Sequence, residues 1–241
     1  MRITTYEDLM LLLDGLYAGG ADRSSHDAAP FWDSLLQQQD HPLHTDRPDA
    51  ALLTWQEEGL LGAERDADGR RALDVGCGLG RNSRWLAAQG FTVTGVDIAP
   101  YAVAEATRRS AGLTAEYLVL DFVREQVPGA PFDLVYDSGC FHHLAPHRRI
   151  SYMEALRECL APGGLFGICT FTAGQMGTTA SDEELLLQRG LEGGIAYTLD
   201  ELREMFSWLE PVDSRQMPAP HDHGHEVFSH DFLQVALFRR G

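Results

Sequence analysis

Three glycines at alternate positions indicate ligand binding more directly than any other pattern in this chain. Gly76, Gly78 and Gly80 lie in the run Gly-Cys-Gly-Leu-Gly. The apolar residues 72–75 before the run are typical of a buried strand, and residues 81–89 after it read as a helix. Glycines between a strand and a helix let the backbone take positive φ values and approach a ligand closely. The pattern therefore predicts a cofactor-binding turn.

Acidic residues follow the predicted strands at their carboxyl ends, where open α/β sheets bind ligands. Asp74 lies at the end of the first strand, Asp97 ends the second, and Asp121 follows the third. A carboxylate in the position of Asp97 can accept hydrogen bonds from both hydroxyls of a ribose, which indicates an adenosine-containing ligand. For Asp121 the alternative is a solvent-facing position in a loop.

Two segments resemble the class I S-adenosylmethionine (SAM) dependent methyltransferases. The string Gly-Cys-Gly-Leu-Gly-Arg-Asn-Ser resembles the first motif of that family. Together with Gly-Phe-Thr-Val-Thr-Gly-Val-Asp at residues 90–97, it is most similar to the branch that includes thiopurine and tellurite methyltransferases. A dinucleotide-binding turn would instead have its third glycine at position 81, which is arginine. The resemblance covers residues 71–172 well and implies SAM as the cofactor.

The resemblance also implies a role for each matched residue. Asp74 would order the glycine turn and reach the methionine ammonium, and Asp97 would bind the ribose. Asp121 would accept the adenine amine, with Ile98 and Phe122 against the ring. The complete set of predicted cofactor contacts is Asp74, Gly76, Cys77, Gly78, Gly80, Asn82, Asp97, Ile98, Asp121, Phe122, Asp137 and Ser138.

His142 and His143 are the candidate catalytic residues. They follow the fourth predicted strand, in the segment 137–144 that the family places beside the reactive methyl. Methyl transfer from a sulfonium mainly requires alignment of the nucleophile. Where the nucleophile must lose a proton, an imidazole that titrates near neutral pH can accept it. Alternatively, one of these histidines caps the following turn or packs in the core.

Three further side chains are candidates for contact with the methyl acceptor. Trp32 could stack on an aromatic substrate, and Arg148 could pair with an anionic group. Phe141 lies in the same segment as the histidine pair. The alternatives are core or lid packing for Trp32 and a solvated helix face for Arg148.

A second histidine cluster comprises His221, His223 and His225, on a predicted loop before the last strand. These imidazoles could line the acceptor pocket, ligate a metal, or belong to a polar surface loop. No metal is predicted, because nothing in the sequence indicates an acceptor with chelating oxygens.

The overall charge limits the classes of partner. The 241 residues include 36 acidic and 19 basic side chains, a formal net charge of −17. Such a surface repels phosphate backbones and anionic membranes, so we expect a small neutral or cationic substrate and neither a nucleic acid nor a membrane partner. Four cysteines without paired metal spacing, and no recognisable membrane or secretory segment, favour a cytoplasmic protein. We expect a monomer or a homodimer.

Alternating strand and helix patterns from residue 71 onward predict an α/β fold with a Rossmann-like, seven-stranded, mostly parallel sheet. The predicted strands are 72–75, 91–96, 115–120, 132–137, 165–172, 210–216 and 232–238, the last two forming an antiparallel end. The predicted helices are 5–17, 50–61, 81–89, 100–111, 147–160 and 198–206. Residues 1–70 are interpreted as an N-terminal helical cap, and residues 71–241 as the SAM-binding domain, with 173–230 contributing to the acceptor pocket.

The sequence therefore predicts an enzyme that transfers the methyl group of SAM to a small-molecule acceptor through an S, N, O or C nucleophile. Tailoring of a secondary metabolite is one such role. A SAM-binding sensor or partner subunit without methyl transfer is the first alternative. An NAD-linked oxidoreductase is the second, and the arginine at position 81 argues against it.

Overall fold

A mostly parallel sheet flanked by helices forms the centre of the protein in a computed structural model, which describes residues 2–17, 28–62, 69–219 and 226–241. The strands are β1 (Arg71–Val75), β2 (Thr92–Asp97), β3 (Ala115–Val119), β4 (Phe132–Ser138), β5 (Leu160–Thr172), β6 (Ala196–Tyr197), β7 (Glu210–Gln216) and β8 (Leu233–Arg239). The helices are α1 (Tyr6–Tyr17), α2 (Ala29–Leu36), α3 (Ala50–Glu57), α4 (Arg81–Ala88), α5 (Pro100–Arg109), α6 (Arg148–Cys159), α7 (Asp182–Gln188) and α8 (Leu199–Met205).

The strand order is β3-β2-β1-β4-β5-β8-β7, and the short strand β6 pairs with β5 off this path. β8 runs antiparallel to both of its neighbours, while β1 to β5 are parallel. This arrangement confirms the predicted Rossmann-like sheet with an antiparallel end. The strands that follow β1 along the chain lie on one side of it, and the strand that follows β4 lies on the other side. A ligand-binding crevice is therefore expected at the carboxyl ends of β1 and β4.

The structure differs from the sequence prediction in α2, α7, β6 and the start of β5. A proline in the first turn begins α2, and a capping box between Ser181 and Glu184 begins α7. A similar capping box between Thr198 and Glu201 begins α8, where the predicted helix 198–206 starts. The helix predicted at residues 147–160 ends one residue earlier, because Leu160 already pairs with Phe132 of β4 ahead of a register shift.

Two apolar clusters cover opposite faces of the sheet, as the alternation of side chains along β4 and β5 requires. Residues of α6 and α8 pack on one face, and residues of α3 and α4 pack on the other. Trp55 of α3 is fully buried, and its indole N–H donates to Asp213 of β7 at 2.8 Å. α3 therefore packs on the sheet, whereas α2 and the segment after it face the crevice. The boundary at residue 70 stays a prediction.

A buried ion-pair network ties α1 to the sheet domain. The carboxylate of Asp14 accepts hydrogen bonds from Arg148 at 2.5 Å, from Arg124 at 2.8 Å and from His147 at 2.9 Å. Burial alone would raise the pKa of Asp14, but these hydrogen bonds together outweigh it and hold the pKa well below its usual range. Glu7 also contacts Arg148 from a half-exposed position.

We expect Asp14→Asn to lower the free energy of unfolding by about 3–5 kcal/mol, because it leaves buried cations without their counter-charge. Glu7→Gln is the matched control and should cost under about 1 kcal/mol, since the Glu7 carboxylate is solvated. Denaturant unfolding measures both. The stabilisation from Asp14 is complete above its unfolded pKa of about 3.9 and is lost as the pH falls through the folded value. The gap between wild type and Asp14→Asn should therefore shrink below about pH 4.

Candidate active site

A cavity of about 390 Å³ opens at the carboxyl ends of the parallel strands. Segments that follow β1, β2, β3 and β4 line it, together with the end of β5 and the loop after it. Residues 32–43 and 228–233 complete the wall. Its position is the one at which open α/β sheets bind ligands, and its size lies in the usual range for small-molecule sites.

The glycine turn passes directly along this cavity. Gly76, Gly78 and Gly80 all have positive φ, at 65°, 51° and 78°. A Cβ on Gly76 would lie 2.9 Å from the Cβ of Cys140, so the turn and the segment after β4 are in close contact. A Cβ on Gly78 would meet no atom within 4 Å, because the cavity lies there. Gly80 begins α4 and does not line the cavity.

Asp97 holds the glycine turn and also faces the cavity. Its carboxylate accepts hydrogen bonds from the backbone N–H groups of Gly78 at 2.8 Å and Ala99 at 2.9 Å. Each carboxylate oxygen can accept two hydrogen bonds and here accepts one of these two. Both oxygens can therefore still accept a hydrogen bond from a ligand hydroxyl. Burial raises the pKa of Asp97. Cys77 and Ile98 line the cavity on either side of this contact.

The segment after β3 brings a second carboxylate and an aromatic ring to the same end of the cavity. Asp121 and Phe122 both line it. The Asp121 carboxylate pairs with Arg124 and accepts the backbone N–H of Val123 at 3.1 Å. Because Arg124 also contacts Asp14 of α1, the Asp14 network reaches the cavity wall.

Besides Gly80, the predicted cofactor contacts Asp74 and Asp137 do not line the cavity. Asp74 accepts a hydrogen bond from the Ser83 hydroxyl at 2.5 Å, and Asp137 accepts from the Tyr152 hydroxyl at 2.7 Å and from the backbone N–H of Cys140 at 2.7 Å. Burial raises the pKa of both carboxyls to about 7. Both carboxylates therefore lie behind the turns beside the cavity, and their contact with the cofactor stays a prediction.

Phe141 and Arg148, predicted as substrate contacts, also lie outside the cavity lining. Phe141 is fully buried among Tyr152, Tyr197 and Phe206, because the 3-10 turn at residues 141–143 directs it into the core. Arg148 is fully buried in the Asp14 network. The structure does not support substrate contact by either residue.

His142 and His143 do line the cavity. Their Nε2 atoms are 3.1 Å apart, so one ring donates a hydrogen bond and the other accepts it. The His142 ring stacks on Phe171 with a centroid distance of 3.9 Å. The His143 ring meets Trp32 edge-on at 4.9 Å.

Further rings extend this contact along the cavity. Phe171 lies 6.2 Å from Phe232, which stacks on His230 at 4.7 Å. We call six of the cavity-lining rings the aromatic wall; they are Trp32, His142, His143, Phe171, His230 and Phe232. The sequence reasoning missed Phe171 and Phe232, whereas His230 lies in the segment 173–230 that the sequence assigns to the acceptor pocket. β8 is antiparallel, so the residues before it, and not those after it, lie at the cavity edge. This rule would have found Phe232.

The predicted histidines His221, His223 and His225 lie outside the described residues. Within residues 2–17, 28–62, 69–219 and 226–241, no group of three or more His, Cys, Asp or Glu side chains is arranged to hold a metal ion. Across the same ranges, no helix is both long enough and apolar enough to span a bilayer.

Comparison with known proteins identifies the domain. Residues 72–164 match the family model described as a methyltransferase domain. The chain is 36% identical over 160 residues to a ubiquinone biosynthesis O-methyltransferase from Caulobacter sp. (strain K31), which covers 61% of this chain. Residues 72–164 are a methyltransferase domain, in agreement with the predicted resemblance to the class I SAM-dependent family. The chain spans 60% of the length of that relative. The likeness to the thiopurine and tellurite branch stays a prediction.

Solved structures share the fold of this chain over most of its length. One, reported for conversion of a disulfide bond into a thioacetal group during echinomycin biosynthesis, has a TM-score of 0.63 at 23% identity and covers 88% of this chain and 92% of that one. The N-methyltransferase NodS from Bradyrhizobium japonicum WM9, in complex with S-adenosylhomocysteine (SAH), has a TM-score of 0.62 at 18% identity and covers 88% and 97%. At these identities the likeness extends to the fold alone.

A buried carboxylate that the sequence reasoning missed joins several walls of the cavity. Asp49 is fully buried, pairs with Arg81 and accepts hydrogen bonds from Tyr136 at 2.6 Å and Asn82 at 3.3 Å. Arg81 in turn donates to the hydroxyl of Ser138 at 2.9 Å. Arg81, Asn82 and Ser138 all line the cavity. Nothing in the local sequence indicates that Asp49 pairs with residues more than thirty positions away.

The same network holds the segment that precedes β8. The backbone of Ala50 donates to the carbonyl of Phe228 at 3.0 Å, and the backbone of Phe228 donates to Pro48 at 2.7 Å. The guanidinium of Arg81 lies over the Phe228 ring, 4.0 Å from its centroid. The N-terminal and C-terminal parts of the cavity wall are therefore fixed to each other through residues 48–50.

We expect Tyr136→Phe to lower the free energy of unfolding by about 1.5–3 kcal/mol, because the buried Asp49 carboxylate loses a hydrogen bond that water cannot replace. Tyr6→Phe, at an exposed position of α1, is the control and should change stability by less than about 0.5 kcal/mol. Equal stability of the two variants in urea unfolding would contradict a structural role for this hydrogen bond.

Proposed function

We propose that this protein transfers the methyl group of SAM to a small-molecule acceptor. The observation that carries the proposal is the division of one cavity into two ends. The glycine turn, Asp97 and Asp121 lie at the β2–β3 end, and His142 and His143 lie beside β4 and β5. When bound, SAM supplies a methyl group activated by a sulfonium.

The residues at the β2–β3 end fit an adenosyl ligand. Open space beside Gly78 gives a ligand access to the backbone of the turn. The Asp97 oxygens retain acceptor capacity for ribose hydroxyls, and the Asp121 carboxylate can accept from an exocyclic amine. Ile98 and Phe122 supply apolar contacts on the same wall. The open side of the glycine turn leaves room for the methionine part, with Asn82 and Ser138 as the nearest polar groups.

The histidine pair fits the role of proton acceptor. One Nε2 accepts the hydrogen bond of the other, so a hydroxyl that takes the place of the donating ring would meet a nitrogen able to accept its proton. We infer that Trp32 and residues 228–233 cover the acceptor end, since Trp32 contacts His143 and Phe232 lies beside Phe171. That the relative from Caulobacter is an O-methyltransferase of ubiquinone biosynthesis supports a small-molecule acceptor. The net charge of −17 argues against a nucleic acid partner, and a monomer or homodimer is the expected state.

Titration calorimetry tests the cofactor. We expect micromolar binding of SAM and SAH and none of NADH. Asp97→Ala should weaken SAH binding about 100-fold, because two charge-assisted hydrogen bonds to the ribose are lost. Asp200→Ala, at the exposed start of α8, is the control and should leave SAH affinity unchanged. Binding of NADH in place of SAH, or full affinity in Asp97→Ala, would overturn the assignment.

The base role of the histidines is tested once an acceptor is known. We expect His142→Gln and His143→Gln to leave SAH affinity within about twofold and to lower kcat by about 10²–10⁴-fold. His44→Gln, away from the cavity, is the matched control. If both cavity variants turn over at the wild-type rate, neither imidazole accepts the proton.

A further inference from the structure

Charge is distributed unevenly along the cavity. Among the lining residues that the structure describes, the carboxylates are Asp97 and Asp121, and both lie at the β2–β3 end. The aromatic wall lies at the opposite end, beside β4, β5 and β8. Arg81 lies near that end, at Phe228, and its charge is balanced by Asp49, which does not line the cavity. The acceptor end is therefore aromatic and close to neutral, in contrast to the acidic protein as a whole.

This lining disfavours a protonated amine as the acceptor. A cation at the acceptor end would find no carboxylate among the described lining residues with which to pair. A flat conjugated molecule fits better, because each ring pair gains about 0.5–1.5 kcal/mol beyond the burial of its surface. Trp32, Phe171 and Phe232 are the apolar rings that would provide these contacts.

The histidine pair adds a requirement for one polar group. One Nε2 is a donor and the other an acceptor, 3.1 Å apart. A hydroxyl that separates the rings can replace their mutual hydrogen bond by two, donating to one Nε2 and accepting from the other. A thiol is weak in both capacities, and a neutral aromatic amine needs no base before it attacks.

We propose that the methyl acceptor is a planar aromatic hydroxy compound, seated on the aromatic wall with its hydroxyl between His142 and His143. This inference rests on the proposed methyl transfer. In the step, the hydroxyl proton passes to the accepting Nε2 and an oxygen–carbon bond forms to the methyl. The carbon–sulfur bond breaks, and its electron pair stays on sulfur, which becomes the neutral thioether of SAH. The other product is an aryl methyl ether.

Four matched bicyclic probes test the proposal: 2-naphthol, decahydro-2-naphthol, 2-naphthylamine and 2-naphthalenethiol. Calorimetry on the full-length protein saturated with SAH measures binding, and mass spectrometry of reactions with SAM measures methylation. We expect 2-naphthol to bind about tenfold more tightly than its saturated analogue and to yield 2-methoxynaphthalene. Trp32→Leu should weaken 2-naphthol binding about tenfold and leave SAH affinity unchanged. Trp208→Leu, a core-edge tryptophan outside the cavity, should change neither.

The outcomes separate this inference from the function on which it rests. Absence of SAH binding would overturn the proposed function itself. If SAH binds, equal affinity for 2-naphthol and decahydro-2-naphthol would overturn aromatic recognition, as would no binding of either. Faster methylation of the amine or the thiol than of 2-naphthol would overturn the hydroxyl assignment. If Trp208→Leu weakened 2-naphthol binding as much as Trp32→Leu does, the acceptor would not bind on the aromatic wall.

Discussion

The buried Asp49 carboxylate is the constraint on which the walls of the cavity depend. A charge without solvent must be compensated by a counter-charge and hydrogen bonds, or folding becomes strongly unfavourable. Arg81 supplies the charge, and Asn82 and Tyr136 supply hydrogen bonds. These partners come from α4 and β4, and the backbone beside Asp49 also holds Phe228. One electrostatic requirement thus fixes four separate segments around the same cavity.

The topology explains why the cavity has two unlike ends. β2 and β3 lie on one side of β1, and β4, β5 and β8 lie on the other. Side chains at the ends of the first group face an adenosyl-sized site with two carboxylates, and those of the second form an aromatic surface. The net charge of the protein therefore says little about the acceptor end. A negative surface governs long-range association, whereas the lining governs what binds.

The parts of the fold that could be predicted from the sequence are those set by local pattern. The turn between β1 and α4, the strand that ends at Asp97 and the capping box at Thr198 each depend on residues close in sequence. The pairing of Asp14 with Arg148, 134 positions apart, has no local signature. Phe232 escaped notice for a topological reason, since its strand runs opposite to the others. The residues that were missed are those whose position depends on long-range pairing or on strand direction. The residues that were predicted depend on local sequence.

The acidic residues at the strand ends show how the same chemistry serves two purposes. Asp74, Asp97 and Asp137 each end or nearly end a parallel strand and accept hydrogen bonds from neighbouring groups. Asp97 also faces the cavity, whereas the turn after Asp137 folds over its carboxylate and Ser83 covers that of Asp74. The route of the backbone after the strand decides whether a carboxylate meets ligand or supports the turn. An aspartate at the end of a strand therefore indicates that a site is near. The path of the following turn determines whether that aspartate itself contacts the ligand.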